Sequence, residues 1–265
     1  MSKIKGLIKY LIYTIIYDIS VPIAVIIFGV AFTVIFSSFG YSADDKIIKN
    51  VSLIIVDVLA IAVLLKFIKN NQNNTFEKLE LTGKKTASII LFFATYPIVF
   101  FTALRYLVNI NSNESMEYGE PMGIMQFILT IVSTALLTPI AEELLNRKIC
   151  FMMLDDFRPY SKILISMVIF ILPHFVNSMV IVNFIFGVLV ITLIYHRTNN
   201  IYYSMISHCS YNLSNVIINK LHSDKLLPSC SGIPYFPHYA EIISSVIFIL
   251  SALYIFNNIL LKSEK

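Results

Sequence analysis

Charged residues are scarce in this chain, and cysteines are few. Only 14% of the 265 residues are Asp, Glu, Lys or Arg, whereas a typical soluble domain has about 25%. The three cysteines are odd in number and widely spaced, which excludes a disulfide framework or a CxxC metal pair. The chain is therefore not a soluble enzyme, a disordered tail or a secreted disulfide scaffold.

Apolar residues, in contrast, make up 57% of the chain. An apolar excess of this size cannot be buried in one water-soluble core, so the expected solvent is lipid. The net charge of +4 is modest, and the basic residues lie mostly in short gaps between apolar runs. A nucleic-acid binder would instead cluster them on one folded face. We predict a polytopic membrane protein whose surroundings are the lipid bilayer, with no nucleic-acid partner.

Apolar runs of membrane-spanning length recur along the whole chain. The hydrocarbon core of a bilayer requires roughly 20 apolar residues per helix. Eight candidate spans lie at about 12–38, 47–68, 86–109, 123–150, 161–178, 179–196, 200–220 and 240–261. The expected fold class is all-α, a transmembrane bundle of about eight helices that forms a single membrane domain over residues 1–265.

The distribution of basic residues predicts the orientation of this bundle. Cytoplasmic loops of membrane proteins carry an excess of Lys and Arg. With the N-terminus in the cytoplasm, Arg105 lies near the outer end of the third span and most other basic residues lie inside. The lysines left outside are Lys46, Lys49, Lys220 and Lys225. We expect a multi-pass protein of the cell membrane with both termini in the cytoplasm.

The densest group of ionisable residues closes the fourth span. Glu142 and Glu143 follow a long apolar stretch, and Arg147 lies on the next turn. Each ionisable group in a membrane helix costs roughly 2.5–3.5 kcal/mol on insertion scales, so it indicates a function. Glu143 and Arg147 have the i,i+4 order that favours an ion pair, which leaves Glu142 facing another helix. The alternative is a charged helix end that dips into the lipid headgroups.

Histidines in two other spans favour a polar site over a charged helix end. His174 follows Phe170 by four residues in the fifth span. His208 precedes Asn212 by four residues in the seventh span, and residues at this spacing share a helix face. We expect these side chains to form one polar site with the acidic pair.

These segments resemble the motif set of the CAAX-protease and bacteriocin-processing family, also called Abi or CPBP. The family motifs EExxxR, FxxxH and HxxxN are matched here by Glu142-Glu143-Leu-Leu-Asn-Arg147, Phe170-Ile-Leu-Pro-His174 and His208-Cys-Ser-Tyr-Asn212. The matching stretch covers residues 124–220, the expected catalytic core. The resemblance implies an intramembrane glutamate-type endopeptidase. Relatives remove the last three residues of prenylated CAAX proteins or, in bacteria, act in bacteriocin maturation, self-immunity and peptide signalling.

The resemblance also implies a role for each motif residue. Amide hydrolysis requires a base for water, donors for the oxyanion and an acid for the leaving amine. The chain has no GxSxG or HExxH motif to supply them. By the resemblance, Glu142 and His174 activate the water, and His208 and Asn212 donate to the oxyanion.

A zinc site is the alternative for the same residues. Glu142, His174 and His208 would be its ligands, with a catalytic water in the fourth position. No HExxH or HxxxH pair places two imidazoles on one helix face, and Asn212 is a better oxyanion donor than zinc ligand. We therefore favour a mechanism without a cofactor.

Four further charged residues in the apolar runs receive no catalytic role. By the resemblance, Glu143 and Arg147 hold the helix end and tune Glu142. Asp18 and Asp57 have no motif support, and we interpret them as groups that hydrogen-bond between helices.

The expected substrate is a hydrophobic peptide or a membrane protein. A composition rich in Ile, Lys, Asn and Tyr favours a low-GC bacterium, so peptide processing or bacteriocin self-immunity is the expected role. The alternative is a non-catalytic membrane immunity protein that binds a bacteriocin or its receptor. A binding protein has no need for the acid, histidine and asparagine set, so we favour the peptidase.

The predicted orientation places residues 111–121 outside the cell. A cysteine introduced at Ser112 should therefore react with a membrane-impermeant maleimide in intact cells. Labelling that occurs only after lysis would reverse the topology.

Overall fold

The chain is described by a computed structural model that covers residues 2–39, 44–71, 80–108, 117–174, 178–230 and 233–261. Nearly all regular structure in these ranges is helical, which confirms the all-α prediction. The helices are α1 (Ser2–Ser38), α2 (Asp45–Asn71), α3 (Gly83–Leu107), α4 (Ile124–Met153), α5 (Pro159–Ile171), α6 (Ser178–Thr198), α7 (Ile201–Ser223) and α8 (His238–Ile255).

Six helices of the described ranges are long and apolar enough to cross a membrane: α1 to α4, α6 and α8. The chain is thus a multi-pass membrane protein. The other two predicted spans are helical but differ from the prediction. Helix α5 has 13 residues, a length of about 20 Å against a hydrocarbon core of about 30 Å. Helix α7 is long enough, with 23 residues, but its Ser, Asn and His content makes it less apolar.

The chain divides into two compact units. The first comprises Met1–Glu80 and Leu137–Met205, and the second comprises Leu81–Leu136 and Ile206–Lys265. Of the three boundaries between them, one precedes α3 and the other two fall within α4 and α7. The single membrane domain over residues 1–265 stays a prediction.

In the first unit, α1 packs against α2 and against the C-terminal half of α4. Tyr10 of α1 is fully buried in a cluster with Cys150, Leu154 and Ile169. Gly6 lies so close to α4 that a Cβ atom there would be 2.3 Å from the carbonyl oxygen of Met153. Because real Cβ atoms do not approach a backbone oxygen this closely, Gly6 allows the contact between the two helices.

Helix α4 departs from regular α-helix on both sides of Pro139. The short α-helical segment Thr138–Glu143 lies between π-helical segments at Ile131–Leu137 and Leu144–Ile149. Proline lacks an N–H group and disturbs the hydrogen bonds of a helix, and π-helical turns are frequent at functional sites. The Thr138 hydroxyl donates to Asp57 Oδ2 at 2.6 Å, so Asp57 has the helix-to-helix hydrogen bond predicted for it.

In the second unit, α3 packs along α8 through stacked aromatic rings. The ring centroids of Phe92 and Phe248 are 4.7 Å apart. Arg105, near the C-terminus of α3, and Glu241, near the N-terminus of α8, are both buried and form an ion pair of 2.6 Å. A two-stranded antiparallel sheet follows α7, with β1 (Ser229–Cys230) paired to β2 (Ile233–Pro234). Residues 111–116 of the predicted external loop 111–121 lie outside the described residues.

Gly6 supplies a test of how α1 is held. Gly6→Ala should lower the thermal unfolding temperature of the detergent-purified protein, because the added methyl group meets the backbone of Met153. Overpacking of this kind costs about 1–3 kcal/mol. Gly83→Ala is the matched control, since a Cβ there meets nothing within 4 Å. Equal unfolding temperatures for both variants would contradict the close contact.

Candidate active site

The two adjacent glutamates of α4 face different surroundings. The Glu143 side chain is fully buried, whereas 15% of the Glu142 side chain is exposed. Consecutive residues of a helix point about 100° apart, so a single helix directs one carboxylate into the protein and the other to an accessible position.

Glu143 takes part in the ion pair that the sequence predicts. Its Oε2 atom lies 3.4 Å from Nε of Arg147, and both side chains are fully buried. The Ser204 hydroxyl donates a hydrogen bond to the same carboxylate. The Arg147 guanidinium also lies 4.8 Å from the centre of the Phe170 ring, a cation–π distance. Removing one partner of such a buried ion pair is strongly destabilising, so Glu143 and Arg147 depend on each other.

His174 lies at the end of the short 3₁₀ segment Leu172–His174 that follows α5. Its ring is 5.0 Å from the Phe170 ring and 4.9 Å from the Phe184 ring. Its Nδ1 atom lies 2.8 Å from the Phe170 carbonyl oxygen. A carbonyl oxygen only accepts, so Nδ1 carries the hydrogen and Nε2 is the nitrogen left for chemistry. We assign this tautomer from the hydrogen bond.

Nε2 of His174 faces Glu142. The distance from Nε2 to Glu142 Oε1 is 3.7 Å, longer than the 2.7–3.2 Å of a typical direct hydrogen bond. One water molecule can contact both atoms at this separation. The first and second motifs therefore supply a carboxylate and an imidazole that meet within the first unit.

A small cavity lies beside this pair. Its volume is about 20 Å³, which leaves room for water, since a cavity needs at least roughly 10–15 Å³ to hold one molecule. It is lined by Thr14, Tyr17, Asp18, Glu142, Asn146, Ile169, Phe170, Pro173 and His174. The side chain of His174 is 39% exposed, so solvent reaches the pair. This arrangement has the elements required to hold and activate one water molecule.

The sequence analysis did not single out Asn146 or the α1 residues Tyr10, Thr14 and Tyr17. The Tyr10 hydroxyl donates to Asn146 Oδ1 at 2.9 Å, and Asn146 Nδ2 donates to the Glu142 carbonyl oxygen at 3.1 Å. These hydrogen bonds hold α1 beside α4, the helix that carries the first motif. The signal was present, because Tyr10, Thr14, Tyr17 and Asp18 form one polar face on an otherwise apolar helix.

The third motif belongs to the second unit. His208 and Asn212 lie one turn apart on α7, as their spacing predicts, and His208 is buried. The Asn212 side-chain amide donates to the Thr134 carbonyl oxygen at 3.0 Å. The structure thus brings Glu142 together with His174, and the oxyanion role of His208 and Asn212 stays a prediction.

The zinc alternative also stays open. In the part of the chain that the structure describes, no three side chains of His, Cys, Asp or Glu are grouped closely enough to hold a metal ion. The zinc content of the purified protein distinguishes a zinc site from metal-free activation of water.

Comparison with known proteins supports the resemblance found in the motifs. Residues 124–214, about a third of the chain, match the family model described as Type II CAAX prenyl endopeptidase Rce1-like. This segment contains all three motifs, so the resemblance to the CAAX-protease family is confirmed. No curated protein and no solved structure matches the chain. The helices and this match together support a multi-pass membrane protein of the protease type.

The metal content of the purified protein tests the zinc alternative. We expect elemental analysis to find well below one zinc per chain, with no difference between the wild type and Glu142→Gln or His174→Ala, because a carboxylate and imidazole can activate water without a metal. Strong chelation should leave the activity unchanged. One zinc per chain that is lost in both variants, with activity restored by added zinc, would make these residues ligands.

Proposed function

We propose that this protein is an intramembrane endopeptidase that hydrolyses peptide bonds of hydrophobic or membrane-associated peptides and proteins. The observation that carries the proposal is the pairing of Glu142 with His174 beside a cavity that has room for water. This pair is formed by motifs of a segment that matches an endopeptidase family.

The proposed mechanism begins with water held between Glu142 and His174. Glu142 accepts a proton from this water as general base, while His174 Nε2 helps to hold it. The hydroxyl oxygen attacks the scissile carbonyl carbon. His208 and Asn212 donate hydrogen bonds to the resulting oxyanion, and the proton held by Glu142 passes to the leaving nitrogen.

Glu143, Arg147 and Phe170 hold the catalytic groups in position and do not react themselves. The buried pair of Glu143 and Arg147 keeps the carboxyl end of α4 in place. Phe170, which contacts both the Arg147 guanidinium and the His174 ring, connects this pair to the catalytic imidazole. The first and second motifs are thus connected through the Phe170 ring.

We further propose a location in the cell membrane, with both termini in the cytoplasm, and a role in bacterial peptide processing or bacteriocin self-immunity. The basic residues support the orientation, and the composition supports a bacterial source. The alternative function is a non-catalytic membrane immunity protein that binds a bacteriocin or its receptor. The paired acid and imidazole favour catalysis, since binding alone requires neither a base nor a water-sized cavity beside it.

Glu142→Gln separates these functions. The substitution keeps the shape of the side chain but removes the base, which typically costs roughly 10²–10⁴-fold in rate. Membrane peptides from cells that produce the variant should accumulate uncleaved, compared with wild-type cells in a quantitative peptide profile. His174→Ala and Asn212→Ala should give the same profile, with near-normal amounts of protein in the membrane.

Two acidic residues provide the controls. Glu120→Gln changes an exposed acid outside the motifs and should leave the profile unchanged. Glu143→Gln breaks a fully buried ion pair and should reduce the amount of protein, a loss that Glu142→Gln does not share. A wild-type profile in cells that contain Glu142→Gln protein would support the immunity protein and overturn the peptidase.

A further inference from the structure

The imidazole of His174 is one corner of a triangle of aromatic rings. Its centroid lies 5.0 Å from the centroid of the Phe170 ring and 4.9 Å from that of the Phe184 ring. The Phe170 and Phe184 rings are themselves 5.6 Å apart. All three distances fall within the roughly 4.5–7 Å of interacting aromatic pairs. Phe184 lies on α6 and belongs to none of the three motifs.

The contacts of His174 with Phe170 do not by themselves fix the imidazole. The hydrogen bond from Nδ1 to the Phe170 carbonyl oxygen and the contact between the two rings both come from one residue. His174 lies on the 3₁₀ segment Leu172–His174, and 39% of its side chain is exposed. Because exposed side chains change rotamer readily, contacts with a single residue leave the imidazole free to swing about that residue.

Phe184 adds a contact from a second helix. Its ring packs against a cluster of buried residues, which consists of Ile163, Met167, Phe170 and Val188. Val188 lies four residues after Phe184, so the two side chains share the face of α6 that packs on α5. The cluster therefore holds the Phe184 ring in place, and this ring limits the movement of the imidazole from the side of α6.

The orientation of the imidazole decides whether Nε2 can hold water beside Glu142. Nε2 lies 3.7 Å from Glu142 Oε1, and in the proposed mechanism it accepts a hydrogen bond from the water held there. Hydrogen bonds weaken steeply when the angle at the hydrogen falls below about 120°. A rotated imidazole would therefore lose the water, although Glu142 remains in place.

We propose that Phe184 is a positioning residue, which keeps Nε2 of His174 directed at the water that Glu142 activates. This inference rests on the proposed peptidase function. Phe184 acts through His174 and exchanges no proton. It gives α6, which carries none of the three motifs, a part in the active site.

The test measures the cleavage of one peptide, the most abundant of those that accumulate uncleaved in cells producing Glu142→Gln. The synthetic peptide is added to membrane vesicles that contain the full-length wild type or a variant, and rates are expressed per folded protein. Phe184→Leu removes the ring and should lower kcat roughly 10- to 100-fold, because a misplacement of about 1 Å can cost about 10²-fold in rate. KM should stay unchanged, since His174 holds the water and not the peptide.

Two further variants separate the ring from the apolar volume of Phe184. Phe184→Met keeps more of that volume than Phe184→Leu but has no ring, and it should show the same loss of kcat. Phe184→Tyr keeps the ring and should recover most of the wild-type kcat. A role in packing alone would depend on the volume of the side chain and not on its aromatic ring.

Phe151→Leu is the matched control. Phe151 packs against the same cluster as Phe184, but its ring lies 5.0 Å from the Tyr195 ring. The substitution removes an equivalent ring from the same cluster and should leave the rate of cleavage at the wild-type value.

Wild-type kcat in Phe184→Leu, or a change confined to KM, would overturn the role of Phe184 while the peptidase stands. An equal loss of kcat in Phe184→Tyr or in Phe151→Leu would do the same, because it would not depend on a ring beside His174. If no peptide accumulates with Glu142→Gln, the proposed function fails, and the role of Phe184 fails with it.

Discussion

The carboxylate of Glu143 and the guanidinium of Arg147 face each other across one turn of α4, and neither is reached by solvent. Removing such charges from water is expensive, and only close partners offset the cost. Here the partners come from three helices: the pair itself from α4, the Ser204 hydroxyl from the first turn of α7, and the Phe170 ring from α5. The direction in which Glu142 points follows from this buried pair.

One consequence is that the two adjacent glutamates, Glu142 and Glu143, have different surroundings. With Glu143 turned into the protein, helix geometry directs Glu142 to the accessible side. There it faces His174, whose Nδ1 hydrogen is committed to the Phe170 carbonyl oxygen. Phe170 therefore contacts both the buried Arg147 guanidinium and the His174 imidazole. This position explains why an aromatic residue is suited to the first place of the FxxxH pattern.

The position of α1, which shares no motif with the rest of the site, has a separate basis. Its contact with α4 depends on the absence of a side chain at Gly6 and on the hydrogen bond from Tyr10 to Asn146. Asn146 in turn donates to the backbone of Glu142. The first helix is thus connected to Glu142 through one amide side chain, although the two are far apart in sequence.

Composition and spacing alone determined the helical class, the approximate helix positions, the pairing of Glu143 with Arg147 and the resemblance carried by the three motifs. These properties depend on local features: apolar length, helical periodicity and charges four residues apart. Only the tertiary structure decided that His174 meets Glu142 and that Asp18 lines the cavity while Asp57 is hydrogen-bonded to Thr138. In sequence the two aspartates are equivalent polar exceptions within apolar helices. Their surroundings differ because packing of α1 and α2 against α4, through contacts distant in sequence, sets the neighbours of each side chain.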